Sequence, residues 1–330
     1  KKFATDRRTV LLESAGTPVA ATSLQVADDP CRVLLSSTGL LARTATEDLP
    51  PTDPDAKRVK HDVIVSVVAA TQRGDVGAVT SAGRLLRIAV IDLPQLPDTA
   101  SVPNLAGGAP LSEFLSLEAD ETVVCLTTLE EASQGLALGT LQGVVKRVVP
   151  DYPANKDELE VITLKDGDRI VGATELRTGE EDLVFITSDA QLLRYPASQV
   201  RPQGRPAGGM AGVKLTAGAE VLSFTAVDPA AEAVVFTVAG STGTLDPAGT
   251  SAKLTPFDQY PRKGRATGGV RCQRFLKGED VLILAWAGAS PARAAQKNGT
   301  PVELPEIDPR RDGSGTPLPK PVEVLAGPAS

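Results

Sequence analysis

Four arginines, Arg43, Arg87, Arg147 and Arg194, hold one place in a recurring phrase: a β-type run, a tight turn, then an arginine four residues beyond it. The copies are Val33–Arg43, Gly77–Arg87, Leu138–Arg147 and Val184–Arg194, with Gly39, Gly83, Gly143 and Ala190 at the turns. A guanidinium binds carboxylate or phosphate through two parallel hydrogen bonds. A fixed arginine in successive copies therefore predicts a ring or stripe of anion-binding charge. A second pattern, Gly-Arg-x-x-Gly-Gly, occurs at 204–209 and again at 264–269. Arg201, Arg205 and Lys214 belong to the first site, and Arg262, Lys263, Arg265 and Arg271 to the second. Glycine lets a backbone approach a phosphate closely, and it equally permits a sharp bend between strands. Neither segment ends in the Gly-Lys-Ser/Thr of a nucleotide P-loop. Lys57, Arg58 and Lys60 after the first copy, and Arg84 and Lys146 beside the repeated arginines, complete the candidate polyanion contacts.

Other chemistries find little support. His61 is the only histidine, beside Asp62, and no nucleophile arrangement accompanies it. Cys31, Cys125 and Cys272 are far apart and odd in number, which predicts buried thiols in a reducing compartment and no disulfide framework. No metal-ligand spacing is present, so no metal site and no catalytic residue is expected. Trp286 and Phe185 fall within strand-like runs and read as core.

The elements that must carry the arginines are strands. Weaker copies of the phrase run Val234–Gly240 and Ile283–Gly288, and successive turn positions lie 44, 60, 47, 50 and 48 residues apart. A period near 50 built from strands and turns predicts an all-β, propeller-like array of six blades. Runs such as 63–70, 123–127, 170–174, 221–225 and 281–285 supply further strands, several just after an Asp-Gly or Gly-Glu-Asp turn. Thirty Gly and 26 Pro suit many turns and few long helices. One domain over 1–330 is expected, with the tail from about 300 either a closing strand through 322–325 or loose. The chain begins at Lys1 without a Met, and a fragment of a longer polypeptide is expected.

The net charge is −7, against a uniformly basic binder, but the charge is segregated. Residues 257–277 carry six basic side chains against Asp258 alone, whereas 151–182 carry ten acidic and four basic ones. Such a field can hold a polyanion on one face of an acidic molecule. The rival reading is a propeller that docks proteins, with 118–131 and 151–182 as its acidic face.

One stretch carries a resemblance. Asp166-Gly-Asp-Arg-Ile-Val-Gly-Ala173, Glu181–Ser188 and Gln191–Arg205, the last containing Val-Arg-Pro-Gln-Gly-Arg, are similar to the C-terminal domain of the A subunit of bacterial type IIA DNA topoisomerases, gyrase and topoisomerase IV. The resemblance covers nearly the whole chain, weakening after about 290, and residues 3–9 look like the junction with the subunit's catalytic portion. It implies a six-bladed β-pinwheel, a disc whose blades exchange strands and whose basic rim bends duplex DNA. The cleavage tyrosine would lie outside this chain, so binding without cutting is implied. ATP and Mg would be used elsewhere in the enzyme. The implied partners are duplex DNA, the catalytic portion of the same polypeptide and the B (ATPase) subunit. The implied setting is a bacterial cytoplasm, with no membrane. Gyrase carries a Gln-Arg-Arg-Gly-Gly-Lys-Gly-like box after its first blade; here residues 44–60 have no glycine pair, which favours a protein of the topoisomerase IV type.

Overall fold

The computed structural model describes residues 27–49, 57–97, 104–243 and 250–329. They form six sheets, one per blade, antiparallel except where Pro202–Gln203 pairs in parallel in blade 3. Each blade starts as a hairpin, because a β-branched run meets a turn residue with positive φ and the chain doubles back. The turns are Gly39 (φ 76°), Gly83 (φ 82°), Gly143 (φ 83°) and Ala190 (φ 60°). The hairpins are Pro30–Ser36 with Leu40–Arg43, Asp75–Thr80 with Arg84–Ala89, Leu136–Thr140 with Val144–Val148, Asp182–Thr187 with Gln191–Pro196, Ala233–Gly240 with Ser251–Pro256, and Arg293–Ala295 with Pro301–Val302. An inner strand then pairs with the first strand of each hairpin: Ile64–Thr71, Val123–Thr128, Ile170–Glu175, Val221–Val227, Val281–Ala289 and Val324–Ala326.

The outer edge of each of blades 1 to 5 comes from the next one. Ala109–Pro110 lies in the chain between the second and third strands of blade 2, yet it pairs with Leu40–Leu41 of blade 1. In the same way Glu158–Glu160 joins blade 2, Pro202–Gln203 and Met210–Ala211 join blade 3, Val270–Arg271 joins blade 4 and Thr316–Pro317 joins blade 5. This exchange is the pinwheel arrangement. The ring closes where residues 58–62 of blade 1 reach blade 6. There the His61 amide donates to the Gly299 carbonyl at 3.4 Å and Arg58 donates to the Ala294 carbonyl at 3.0 Å.

The core is a ring of apolar clusters, each between consecutive blades, since both faces of a blade must be covered. Val33, Leu41, Val76 and Ile88 join blades 1 and 2; Phe185, Tyr195, Ala137 and Val145 join blades 3 and 4. Cys31, Cys125 and Cys272 are buried in these clusters, Phe185 is fully buried, and Trp286 packs partly buried against the cluster between blades 5 and 6.

Three sequence expectations shift. The run 283–288 is the inner strand of blade 5 and not a sixth copy of the phrase; the sixth hairpin begins at Arg293 and turns at Gly299. Both strands are apolar, so only pairing separates an inner strand from a hairpin strand. Gly240 ends a strand and does not make a turn. The tail supplies Thr316–Pro317 to blade 5 and Val324–Ala326 to blade 6, so it is built into the ring.

Candidate nucleic-acid interface

The four repeated arginines sit at equivalent places on the second hairpin strand, pairing with Val33, Gly77, Ala137 and Val184. All four are only partly exposed, and each grips the segment arriving from the next blade. Arg43 donates to Gln95 Oε1 at 2.8 Å. Arg87 donates to the carbonyls of Pro153 and Lys156 and pairs with Asp75 at 3.2 Å. Arg147 reaches the carbonyls of Ala197 and Val200. Arg194 lies 4.4 Å from the Phe257 ring centroid and 3.6 Å from Asp182, a carboxylate with no exposure. Desolvation by that burial pulls the Arg194 guanidinium below the usual arginine range. The repeated arginine is thus a clamp for strand exchange, with its donors largely turned inward.

Two other candidates are also engaged. Arg84 pairs with buried Glu121 and with Glu158 at 3.0 Å, and its hydrogen bonds hold the Glu121 carboxyl down at about 2. Lys146 is fully buried and donates to three carbonyls, Val161 at 2.8 Å, Arg205 at 2.6 Å and Ala207 at 2.7 Å. Blade 5 repeats the device: Lys253, at the same register, donates to the carbonyls of Arg310 and Arg311. Burial lowers both ammonium groups to about 8. Near the ring seam, Arg58 is bound to Asp62 at 2.6 Å, whereas Lys57 and Lys60 are exposed. His61 accepts or donates at Thr38 Oγ1 over 2.9 Å, and burial lowers its pKa.

The remaining candidates come together. The loops holding the two Gly-Arg-x-x-Gly-Gly segments lie side by side on the rims of blades 3 and 4, locked by backbone hydrogen bonds. The Ala266 amide donates to the Gly212 carbonyl at 2.8 Å, and the Lys214 amide donates to the Thr267 carbonyl at 3.1 Å. Arg265 fastens them further, donating from its amide to Gln199 Oε1 and from its side chain to the Gln199 and Ala211 carbonyls. Gln199 gave no signal in the sequence, because its role exists only across the junction. Among the described residues, Arg201, Lys214, Lys263 and Arg271 stand exposed around this joint without an ion pair, while exposed Arg262 pairs with Asp182 at 2.8 Å. Arg205 is partly exposed, its carbonyl held by Lys146. Arg274 and Lys277 extend the same surface; the basic bias of 257–277 had pointed to them.

The glycines of the two segments divide into two kinds. The last one is required by packing: a Cβ on Gly209 would lie 2.8 Å from the Val145 carbonyl, and one on Gly269 2.5 Å from the Leu192 carbonyl. Gly264 and Gly268 face open space, and neither has positive φ. The fold does not need glycine there. Glycine there adds no side chain next to the neighbouring arginine and lysine, so a phosphate can approach the main chain closely.

A family model described as DNA gyrase C-terminal domain, beta-propeller, matches residues 181–228 and 251–284. The DNA gyrase A protein of Kosmotoga olearia is 27% identical over 312 residues, 91% of this chain and 37% of that protein. That of Streptomyces coelicolor is 28% identical over 300 residues, 86% of this chain and 33% of that protein. Among solved structures, the C-terminal domain of DNA topoisomerase IV superposes with a TM-score of 0.69 at 16% identity, covering 92% of this chain and 94% of that one. The DNA gyrase A C-terminal domain gives 0.55 at 16% identity, covering 88% and 95%. The chain spans about a third of the length of these curated relatives.

Proposed function

We propose that this chain, which belongs with the C-terminal domains of type IIA DNA topoisomerase A subunits, binds duplex DNA on its outer edge and bends it without cutting it. The observation that carries the reading is the pair of Gly-Arg loops, joined by backbone hydrogen bonds and presenting exposed cations on one surface. Each phosphate neutralised releases counterions, so affinity falls steeply with salt. No helix of the described residues enters a groove, so sequence preference is weak and the domain responds to DNA path and bendability.

In the longer enzyme the domain would present a DNA segment to the catalytic portion of the same polypeptide, for strand passage driven by ATP on a B subunit. The chain itself needs no cofactor for this. The setting would be a bacterial cytoplasm; no helix among the described residues is long and apolar enough to cross a membrane. A topoisomerase IV type is favoured by the lack of a glycine pair in residues 44–60, of which 50–56 lie outside the described residues. A gyrase type is the second reading, favoured by the gyrase A names of the curated relatives.

Ligation of a nicked DNA circle with increasing protein, followed by topoisomer analysis, tests both. Little change in linking number together with salt-sensitive binding supports a topoisomerase IV type, and a shift to positive linking number supports chiral wrapping by a gyrase type. Absence of binding at low salt removes the DNA reading and leaves a protein-docking propeller, for which the acidic rim of blades 1 and 2 would be the face.

A further inference from the structure

Strand exchange means that each blade's rim is built from one loop of the next blade, so rim charge can be read loop by loop. The described residues of the loop on blade 1, 90–97 and 104–122, hold five acidic residues and no basic one. That on blade 2, 149–169, has six acidic and three basic. The loop on blade 3, 197–220, has three basic residues against Glu220, and that on blade 4, 257–280, has six basic against three acidic. On blade 5, 303–323, the sign returns to five acidic against three basic, with Arg310 held by Asp308 at 2.9 Å. The described residues of the segment closing onto blade 6, 44–49 and 57–63, hold three acidic and three basic, with Arg58 held by Asp62.

The clamp arginines do not restore a continuous ring, because their donors serve carbonyls and carboxylates of the fold. The two net-positive loops adjoin and hydrogen-bond to each other, as each also does to the loop on its other side. Their neighbour on one side is the acidic edge of blade 2, where Asp157, Glu158, Glu160 and Asp166 are exposed, and Thr163 Oγ1 of that edge donates to the Pro206 carbonyl at 3.0 Å. On the other side the Arg274 amide donates to the Gly313 carbonyl, joining the arc to the self-neutralised edge of blade 5.

We propose that duplex DNA is held only along the arc formed by blades 3 and 4, about a third of the six-bladed circumference, and that the acidic edge of blade 2 makes it leave the disc there. The inference rests on the DNA-binding reading and gives that reading its extent. Like charge beside the duplex costs free energy at the distance of a direct contact, and salt does not screen it there. A domain of this kind introduces one local bend and does not wrap DNA around its perimeter.

The exposed cations on the arc with no ion pair among the described residues are Arg201, Lys214, Lys263, Arg271, Arg274 and Lys277, and Lys263 Nζ donates to the Gly269 carbonyl at 3.3 Å. Six phosphate contacts predict a log–log salt slope of about −5, whereas engagement of all sixteen sequence candidates would give about −14. The test is a salt titration of this 330-residue chain on linear duplex DNA, with three variants checked for native circular dichroism and melting. Arg201→Glu/Lys214→Glu/Arg271→Glu, on the arc, is expected to lose at least ~100-fold in affinity and about three units of slope. Lys57→Glu/Lys60→Glu, off the arc, is expected to stay within about twofold. Asp157→Lys/Asp166→Lys, which makes the blade 2 edge basic, is expected to gain affinity and steepen the slope by about two units. Equal losses from the first two variants, or no gain from the third, overturn the arc while leaving DNA binding standing. A wild-type chain that binds no duplex at ~50 mM salt overturns DNA binding itself.

Discussion

Gly264 and Gly268 are the residues whose identity the fold leaves unexplained, since a methyl group at either would meet nothing closer than ordinary contact. Replacing a glycine that has no positive φ with alanine reduces the entropy of the unfolded chain and stabilises by about 0.4–1 kcal/mol. Gly264→Ala/Gly268→Ala is therefore expected to melt at or slightly above the wild-type temperature. The same variant is expected to bind duplex DNA several-fold more weakly, because the added methyl groups hold phosphate away from the main chain. Gly269→Ala behaves differently. Its Cβ would press on the Leu192 backbone at 2.5 Å, so it loses stability along with binding. Comparing melting curves with binding isotherms for the two variants separates a ligand-facing glycine from a packing one.

At the scale of the element, the exchanged loop depends on what the neighbouring hairpin offers it. Lys146 supplies three donors to blade 3's rim loop and its neighbour, so the Gly-Arg loop is shaped from beneath by a side chain that never reaches the surface. Lys146→Met keeps the volume and removes the donors. It is expected to cost about 1–3 kcal/mol by leaving buried carbonyls unpaired, and to raise proteolysis within 204–209. Burial also gives this lysine a pH signature. Its pKa in the folded chain is about 8, below the usual lysine range, so through that window the unfolded chain binds more protons than the folded one. Stability from this group consequently rises as pH climbs from about 8 toward the ordinary lysine pKa, and it is lowest below 8 where both states are charged. Denaturation midpoints between about pH 7 and 10 should show that rise in the wild type and a smaller one in Lys146→Met, with Lys253 supplying the remainder.

The molecule as a whole is a ring, and its seam differs from its other junctions. Blades 1 to 5 are joined by exchanged strands and by large buried clusters, such as those around Val33 and Phe185. Between blades 6 and 1 the buried cluster is Val63, Ala295 and Ala326, with Ala329 packed against a second cluster of Leu34, Ala42, Ile64 and Leu105, and among the described residues 58–62 make the connection without a strand. A charge network strengthens it: Asp62, nearly without exposure, holds Arg58 at 2.6 Å and stands 3.8 Å from Arg293. Asp62→Asn leaves two guanidinium groups at the seam without their carboxylate, and a loss of about 3 kcal/mol is expected. Small-angle scattering of that variant should show a larger radius of gyration from an opened ring. An unchanged radius with lowered stability would place the network in local packing alone.

The sequence by itself carried the family resemblance and determined the all-β repeat, its period and the turns at Gly39, Gly83, Gly143 and Ala190, because turn chemistry and strand composition act over a few neighbouring residues. It also placed the Gly-Arg segments and the basic bias of 257–277, which are statements about order along the chain. What an arginine touches is decided across the blade junctions. Arg43, Arg87, Arg147 and Arg194 recur at one register for the same reason that a buried clamp would, and periodicity alone does not separate a clamp from a surface ring. The apolar run 281–289 matched a hairpin strand in composition and became an inner strand through its pairing with 233–240. Strand exchange also brings 201–214 against 262–274 and sets 157–166 beside them. Only the tertiary structure decided that assembly, because contacts between segments so far apart along the chain depend on which edge each loop completes.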